Sequence, residues 1–550
     1  MENRQCSTMG LMKKRVGISF LVFALLAGAA VRLNGLAERA LWFDEALVVL
    51  EADKPLSKVL GQRAEGIHPP LFRFMAHWLM KGASGSLVED SRFCLPEGKG
   101  APALMATDLR ESPREIVLRL LSVSFSLISI LLFFLLGKAL FGAGTAALAA
   151  GIMSVSAFQV YYAQEIKMYA LLQFLSLLSC LFFIKALKSD KRLYWGGYAF
   201  ISALALYTHY FASMLLAAQA VFASVYLLRR GARRKLKYWA GSVFLVFLFF
   251  LPWSINALKH LRRVSDNFWL PSLTIGDFIG AFRNFFFGYH TGFSWFFTGW
   301  VVVSAVSLFG AVSIFREARE GRKESLWDPG DSAFFIFSFL LVPAAAAAVL
   351  SFIFRPVFFD RPLIFLSGPC YLLFAAGLCG IWRRRRAAAV CLAAVFLLVS
   401  LFSLRAYFRN EYFEPSPGVV MRKPLREVGG YIARNYHAGD TVVLSHHSII
   451  YPLACYLPQG IRARMFLLDL PIESKYDRST LFGMLKTSRV KTFHWRDLPA
   501  GGGVWLICSG WNREIIRPPA GMEEFLSRQR LVKENRAFEG VEIYYYELRK

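Results

Sequence analysis

Apolar runs of about 20 residues, the length that crosses the hydrocarbon core of a bilayer, recur from residue 15 to residue 405 of this 550-residue chain. They predict a polytopic α-helical membrane protein of about eleven helices, over 15–34, 116–137, 142–162, 166–186, 194–208, 209–228, 238–258, 294–315, 332–354, 363–382 and 387–405. Composition agrees: 56% of residues are hydrophobic and only 19% are charged, where soluble domains carry about a quarter. The first run, "VGISFLVFALLAGAAVRLNG", follows Lys13, Lys14 and Arg15 and has no clear small-residue cleavage site. It reads as a retained helix, not a removed signal.

A net charge of +26 could indicate a nucleic-acid partner, but its placement argues otherwise. The basic runs "MKKR", "KALKSDKR", "RRGARRKLK", "REAREGRK" and "RRRR" all fall between apolar segments. If every second loop is cytoplasmic, they lie on the same side, as the positive-inside rule requires. Topology and contact with anionic lipid headgroups absorb the excess, so no nucleic-acid partner is expected. The N-terminus is then cytoplasmic in a cell inner (plasma) membrane. The loops at 35–115, 259–293 and 355–362 face outward, with everything after 405. "YTHYF" (Tyr207–Phe211) interrupts the stretch 194–228, which divides it into two short helices with a tight outer turn.

Two domains are expected: residues 1–405 as the transmembrane body, with 35–115 as its first outer loop, and 406–550 as a small exoplasmic α/β domain. In the outer loop, "HPPLFRFMAHWLM" suits a helix lying in the membrane interface, and 82–113 reads as a flexible insert. In the C-terminal part, "LREVGGYIARNYHAGDTVVLS" reads as an amphipathic helix, a Gly-Asp turn and a buried strand, and "GGGVWLICSG" and "VEIYYYEL" as further strands. No glycine pattern for nucleotide phosphates is present. Among the eight cysteines, Cys180, Cys370, Cys379 and Cys391 sit in apolar runs as packing residues. A Cys455–Cys508 disulfide is compatible with topology but not fixed by spacing.

Ionisable groups at membrane depth are costly and commonly line a cavity. Asp44 and Glu45 lie just past the first helix, and Arg119 opens the second. "YYAQEIKMY" carries Tyr162, Gln164, Glu165, Lys167 and Tyr169 between the third and fourth, and "RPVFFDRP" holds Arg355, Asp360 and Arg361 before the tenth. The expected topology brings all four clusters to the outer surface. There a carboxylate can act as general base towards a hydroxyl, and Arg or Lys can hold a phosphate and stabilise its departure. A lipid-linked sugar phosphate would present its headgroup at that depth. Each residue also has a plainer reading. The Asp-Glu pair could be a solvated helix start, Arg119 could snorkel, and Glu165 could pair with Lys167. His68 could be a turn residue and His209 a bundle histidine. No protein metal site is evident, and a divalent metal as cofactor is left open.

At these residues the chain resembles the glycosyltransferase 39 superfamily: the dolichyl-phosphate-mannose protein mannosyltransferases, the bacterial lipid A aminoarabinose transferases and their bacterial relatives. "WFDEA", "HPPLFRFMAHWL", the long run ending "VYYAQEIKMYALL", "LYTHYF" and "DRPLIFLSGP" carry the resemblance, over about residues 10–230 and more loosely 330–380. It implies the GT-C fold and transfer of a sugar from a polyprenyl phosphate, with inversion, to an acceptor protein, lipid or glycan. It implies Asp44 as base with Glu45 its acidic neighbour, and Glu165, a third candidate catalytic residue, in the second polar motif near the donor or acceptor. Arg119, Lys167 and Arg361 would contact the donor phosphate, while His68, Tyr162, Gln164, Tyr169 and His209 would line the substrate cavity. Aminoarabinose transferases carry a lysine within the His-Pro-Pro motif; "GIHPPL" has none, which leaves the donor sugar open. The rival readings are a transporter or flippase, which commonly shows paired halves not evident here, and an inactive binding protein on the same fold.

Overall fold

The structure is a computed structural model. It describes residues 2–59, 68–84, 113–266, 272–290, 293–320, 327–411, 419, 421–462, 464–468, 491–493, 502–511, 515–518 and 520–548. Most of the expected insert at 82–113, with Cys94, lies outside them.

In chain order the helices are α1 (Glu2–Leu33), α2 (Phe43–Ala52), α3 (Leu56–Val59), α4 (Leu71–Ser84), α5 (Pro113–Phe141), α6 (Ala143–Val155), α7 (Ala157–Ala163), α8 (Tyr169–Lys188), α9 (Arg192–Thr208) and α10 (Ala212–Arg229). Then follow α11 (Arg233–Asp266), α12 (Ile275–Phe287), α13 (Phe293–Glu320), α14 (Pro329–Ile353), a 3₁₀ turn at Arg361–Leu366, α15 (Ser367–Arg384) and α16 (Arg386–Phe408). The C-terminal part holds α17 (Leu425–Asn435), β1 (Thr441–Leu444), α18 (Ile450–Tyr456), α19 (Gln459–Arg462), β2 (Met465–Leu468), β3 (Lys491–Phe493), β4 (Val504–Ser509), α20 (Ala520–Gln529), β5 (Arg530–Phe538) and β6 (Val541–Leu548).

Two compact units emerge. A helical unit comprises Met1–Asn34, His68–Phe72 and Arg119–Glu414; a mixed unit comprises Gly35–Ile67, Arg73–Leu118 and Pro415–Lys550. This grouping departs from a single cut after residue 405. The first outer loop joins the C-terminal sheet domain because its own polar side chains are satisfied there, as described below.

In the helical unit, eight helices among the described residues are long and apolar enough to cross a membrane, and the bent pair α6–α7 makes a ninth. The expectation of about eleven also included the first run, which lies in the 32-residue α1 and is apolar over Gly17–Leu33, and α9, with 17 residues. The division within 194–228 falls at His209–Phe211, between α9 and α10. The pair α6–α7 bends by 60° at Ser156, whose hydroxyl donates to the Phe285 carbonyl at 2.8 Å. Arg32 is fully buried and donates to Ser126 Oγ at 2.9 Å and to the Ser154 carbonyl at 2.7 Å. A charge inside a bundle persists when such oxygens surround it. Arg32 thus ties α1 to α5 and to the bend.

The mixed unit carries a six-stranded sheet of order β3-β2-β1-β4-β6-β5. The pairs β3–β2, β2–β1 and β1–β4 are parallel; β6 runs antiparallel to β4 and forms a hairpin with β5. Every residue of β1 and β4 is buried, as central strands covered on both faces require. Before β1 the expected Gly-Asp turn forms: Gly439 adopts φ +99°, where glycine alone is unstrained. Asp440 accepts from Gly503 N at 2.7 Å and Trp505 Nε1 at 3.0 Å, locking the start of β1 to the start of β4. Cys455 and Cys508 are both buried free thiols, so the disulfide considered from topology is absent.

Candidate active site

In the helical unit the motif "YYAQEIKMY" is the break between α7 and α8. Residues 164–168 are non-helical, and all of 161–170 are buried. Irregular backbone at this depth survives only when protein groups satisfy it, and Gln164 does much of that. Its amide nitrogen donates to the carbonyls of Arg32 at 2.9 Å and Asn34 at 2.7 Å, and its carbonyl accepts from the Tyr407 hydroxyl at 2.9 Å. Gln164 is therefore a brace of the break. The break turns Glu165 and Lys167 into the interior, both at least 95% buried, with Lys167 N donating to the Glu165 carbonyl at 2.8 Å.

Around this break the fold assembles a cationic and aromatic cluster. The His68 and His209 rings lie 5.2 Å apart, and His209 lies 6.2 Å from Tyr169. The Arg361 guanidinium sits over Tyr169 at 5.8 Å and over Phe359 at 5.2 Å. Burial, and then the nearby Arg361 and Lys167, push the His209 imidazole in the α9–α10 turn down to about 3, so it stays neutral. The structure thus brings Lys167, Tyr169, His209, His68 and Arg361 together. Arg119 is buried in α5, while Arg355 is exposed.

A second layer comes from the predicted outer loop 259–293, which sequence reasoning passed over. It contains α12, opened by a capping box in which Asp277 accepts from Thr274 N at 2.7 Å and from its hydroxyl at 2.8 Å. From there Asn284 donates to Asp360 at 2.7 Å, and the Tyr289 hydroxyl meets that of Tyr162 at 2.6 Å. Asp360 precedes Arg361, so the network fixes the backbone that presents the guanidinium. The T-x-x-D signature before "FIGAFRNFFF" was the available signal for α12.

Asp44 and Glu45 belong to the mixed unit, in the first turn of α2. Acids there meet the positive end of the helix dipole. Their environments differ sharply. Glu45 is fully buried, accepts from Trp42 N at 3.3 Å as half of a capping box, and forms an ion pair with Arg422. Asp44 is half-buried. The two adjacent acids therefore differ in setting: Glu45 holds the turn through Trp42 and Arg422, and Asp44 is partly open to solvent. Nearby, Arg73 pairs with Glu51 at 2.7 Å and His77 Nδ1 meets the Ala52 carbonyl at 2.7 Å, which secures α4 to α2. Leu41 N donates to the Tyr456 hydroxyl at 2.7 Å, and Arg426 pairs with Glu115 at 2.8 Å. These bonds explain why the first outer loop groups with residues 415–550. Among the described residues no set of three or more His, Cys, Asp or Glu is arranged to hold a metal ion.

Residues 103–255 match the family model described as dolichyl-phosphate-mannose-protein mannosyltransferase. No curated protein matches the chain in sequence. Among solved structures, ArnT from Cupriavidus metallidurans in the apo state is similar over 98% of both chains, at TM-score 0.57 and 12% identity. The same protein bound to undecaprenyl phosphate gives TM-score 0.51 at 13% identity, over 96% of this chain and 97% of that one. The Archaeoglobus fulgidus oligosaccharyltransferase in the apo form gives 0.54 at 11% identity, over 90% of this chain and 69% of that one. At such identities the likeness is one of fold. The chain has the GT-C architecture with a C-terminal sheet domain.

Proposed function

We propose that this chain, with its GT-C membrane fold, transfers a sugar from a polyprenyl phosphate to an acceptor hydroxyl at the outer face of an inner or plasma membrane. The observation that carries the proposal is the buried cluster of Lys167, Arg361, His209, His68 and Tyr169 at the α7–α8 break. Two cations held in an apolar interior beside a neutral histidine suit a phosphate whose charge grows as the sugar leaves. A structural likeness to a protein crystallised with undecaprenyl phosphate supports a lipid-linked donor.

The roles follow from the environment of each group. Asp44 takes the proton of the acceptor hydroxyl. The acceptor oxygen attacks the anomeric carbon from the face opposite the phosphate, and the carbon–oxygen bond to the phosphate breaks with inversion. Its electron pair stays on the lipid phosphate, which Lys167, Arg361 and Arg119 stabilise. Glu165, Tyr162 and Gln164 shape the donor side, and Glu45 positions the turn that presents Asp44.

The test is Asp44→Asn in proteoliposomes supplied with polyprenyl-phosphate sugars. Loss of a general base lowers turnover by about 10²–10⁴-fold. Near-normal transfer by folded protein would remove Asp44 from the mechanism, and lipid-linked substrate flux without any glycosidic bond formed would favour a flippase instead.

A further inference from the structure

The parallel part of the sheet in the mixed unit has the order β3-β2-β1-β4. From β1 the chain moves outward to β2 and then β3, and returns to lay β4 on the other side of β1. Connections leaving two neighbouring strands in opposite directions open a crevice beyond their carboxyl ends, and in open parallel sheets ligands bind there. Here β1 ends into Ser445–Ser448 and β4 ends into Gly510 and Trp511. A cleft lies at this position, with Trp42, Phe43, Lys423, Ser448, Pro452 and Trp511 in its wall.

We infer that this cleft binds a saccharide bearing a negatively charged substituent, and that this saccharide is the acceptor; the second half rests on the glycosyltransferase reading. Lys423 is fixed at the end of β4: its ammonium group donates to Ser509 Oγ at 2.7 Å and to the Gly510 carbonyl. Ser448 Oγ donates to the Gly510 carbonyl at 2.7 Å, and the Ser448 N–H donates to His446 Nδ1 at 3.2 Å. His447 and His446 lie 4.2 Å apart and pack edge-on against Trp511 at 5.4 and 5.8 Å. Burial, and then the neighbouring His447 and Lys423, push His446 down to about 3. The loop after β1, "SHHS", contains no glycine, so the backbone cradle of a nucleotide site is not built. Recognition falls to side chains: a cation and hydroxyls for an acidic group, and aromatic faces for the apolar side of a sugar ring. Phe43, 5.5 Å from Trp511, immediately precedes Asp44. A saccharide seated against Phe43 is therefore held by the same helical turn that carries the proposed base.

The experiment is calorimetric titration of the full chain in detergent, without any lipid-linked donor, using glucose 6-phosphate, glucuronate, glucose and inorganic phosphate as probes. The two anionic sugars should bind about tenfold or more tightly than glucose or phosphate alone, and Lys423→Met and Trp511→Ala should each weaken them about tenfold. Trp511 is half-buried, so that variant remains informative if Lys423→Met fails to fold, as checked by near-UV circular dichroism. No saturable binding, equal affinity for glucose and glucose 6-phosphate, phosphate binding as tightly as its sugar ester, or wild-type affinity in both variants would overturn the inference. Transfer that needs Asp44 without saccharide binding overturns the cleft alone. Binding by a protein with no transfer activity sinks the glycosyltransferase reading and leaves the cleft as a binding site.

Discussion

Glu45 and Asp44 are adjacent in sequence and chemically alike, yet they meet opposite surroundings. Glu45 is sealed against Arg422, 377 positions away, whose guanidinium also lies 5.7 Å from the Trp42 ring centroid. Removing one partner of a buried ion pair strands the other charge, at a cost of about 3–5 kcal/mol. Glu45→Gln should therefore lower the stability of the mixed unit by about that amount, whereas Asp44→Asn should leave it nearly unchanged while abolishing transfer. Chemical denaturation of the two variants side by side decides the matter; equal stabilities would mean that the Glu45–Arg422 pair does not anchor α2. The dipeptide "DE" at the start of a helix was legible in the sequence. That Glu45 would be sealed in an ion pair and Asp44 would not was illegible, because Arg422 lies in another part of the chain.

Among the helices, the packing of α13 on α15 depends on two residues without side chains. A Cβ at Gly310 would strike the Leu373 carbonyl oxygen, and one at Gly377 would strike that of Val306. Helices inside a membrane gain little from hydrophobic burial against each other, so close backbone approach through small residues contributes much of their association. Gly310→Ala or Gly377→Ala should cost about 1–3 kcal/mol by overpacking and reduce the folded fraction recovered in detergent. Gly196→Ala on α9, where nothing lies within 4 Å of the added methyl group, is the control and should be neutral. If all three behave alike, the close crossing is not what joins α13 to α15. Apolar runs told where these helices lie, since length and hydropathy are local properties. They did not tell which glycines face a partner, nor that α6–α7 would break at Ser156.

Taken over the molecule, each unit holds a histidine kept neutral, the buried His209 in one and the half-buried His446 in the other, each pushed down to about 3 from an ordinary 6.5. Between those values the unfolded chain binds a proton that the folded chain refuses, so stability falls as pH drops from about 6.5 towards 3. Thermal unfolding should occur at lower temperature at pH 5 than at pH 7, and His446→Asn should shrink that difference. An unchanged difference in the variant would exclude His446 as its source.

The many apolar helices, most of their positions and the α/β character of the C-terminal domain were readable from the amino-acid order. They rest on run length, period and motif spacing, which act over tens of residues at most. The Asn284–Asp360 bond, the Glu45–Arg422 pair, the joining of the first outer loop to the C-terminal sheet, and the cleft between the ends of β1 and β4 were decided by folding. Each unites residues separated by tens to hundreds of positions. Their complementarity is a matter of charge and shape in space, and it leaves no local pattern in the chain.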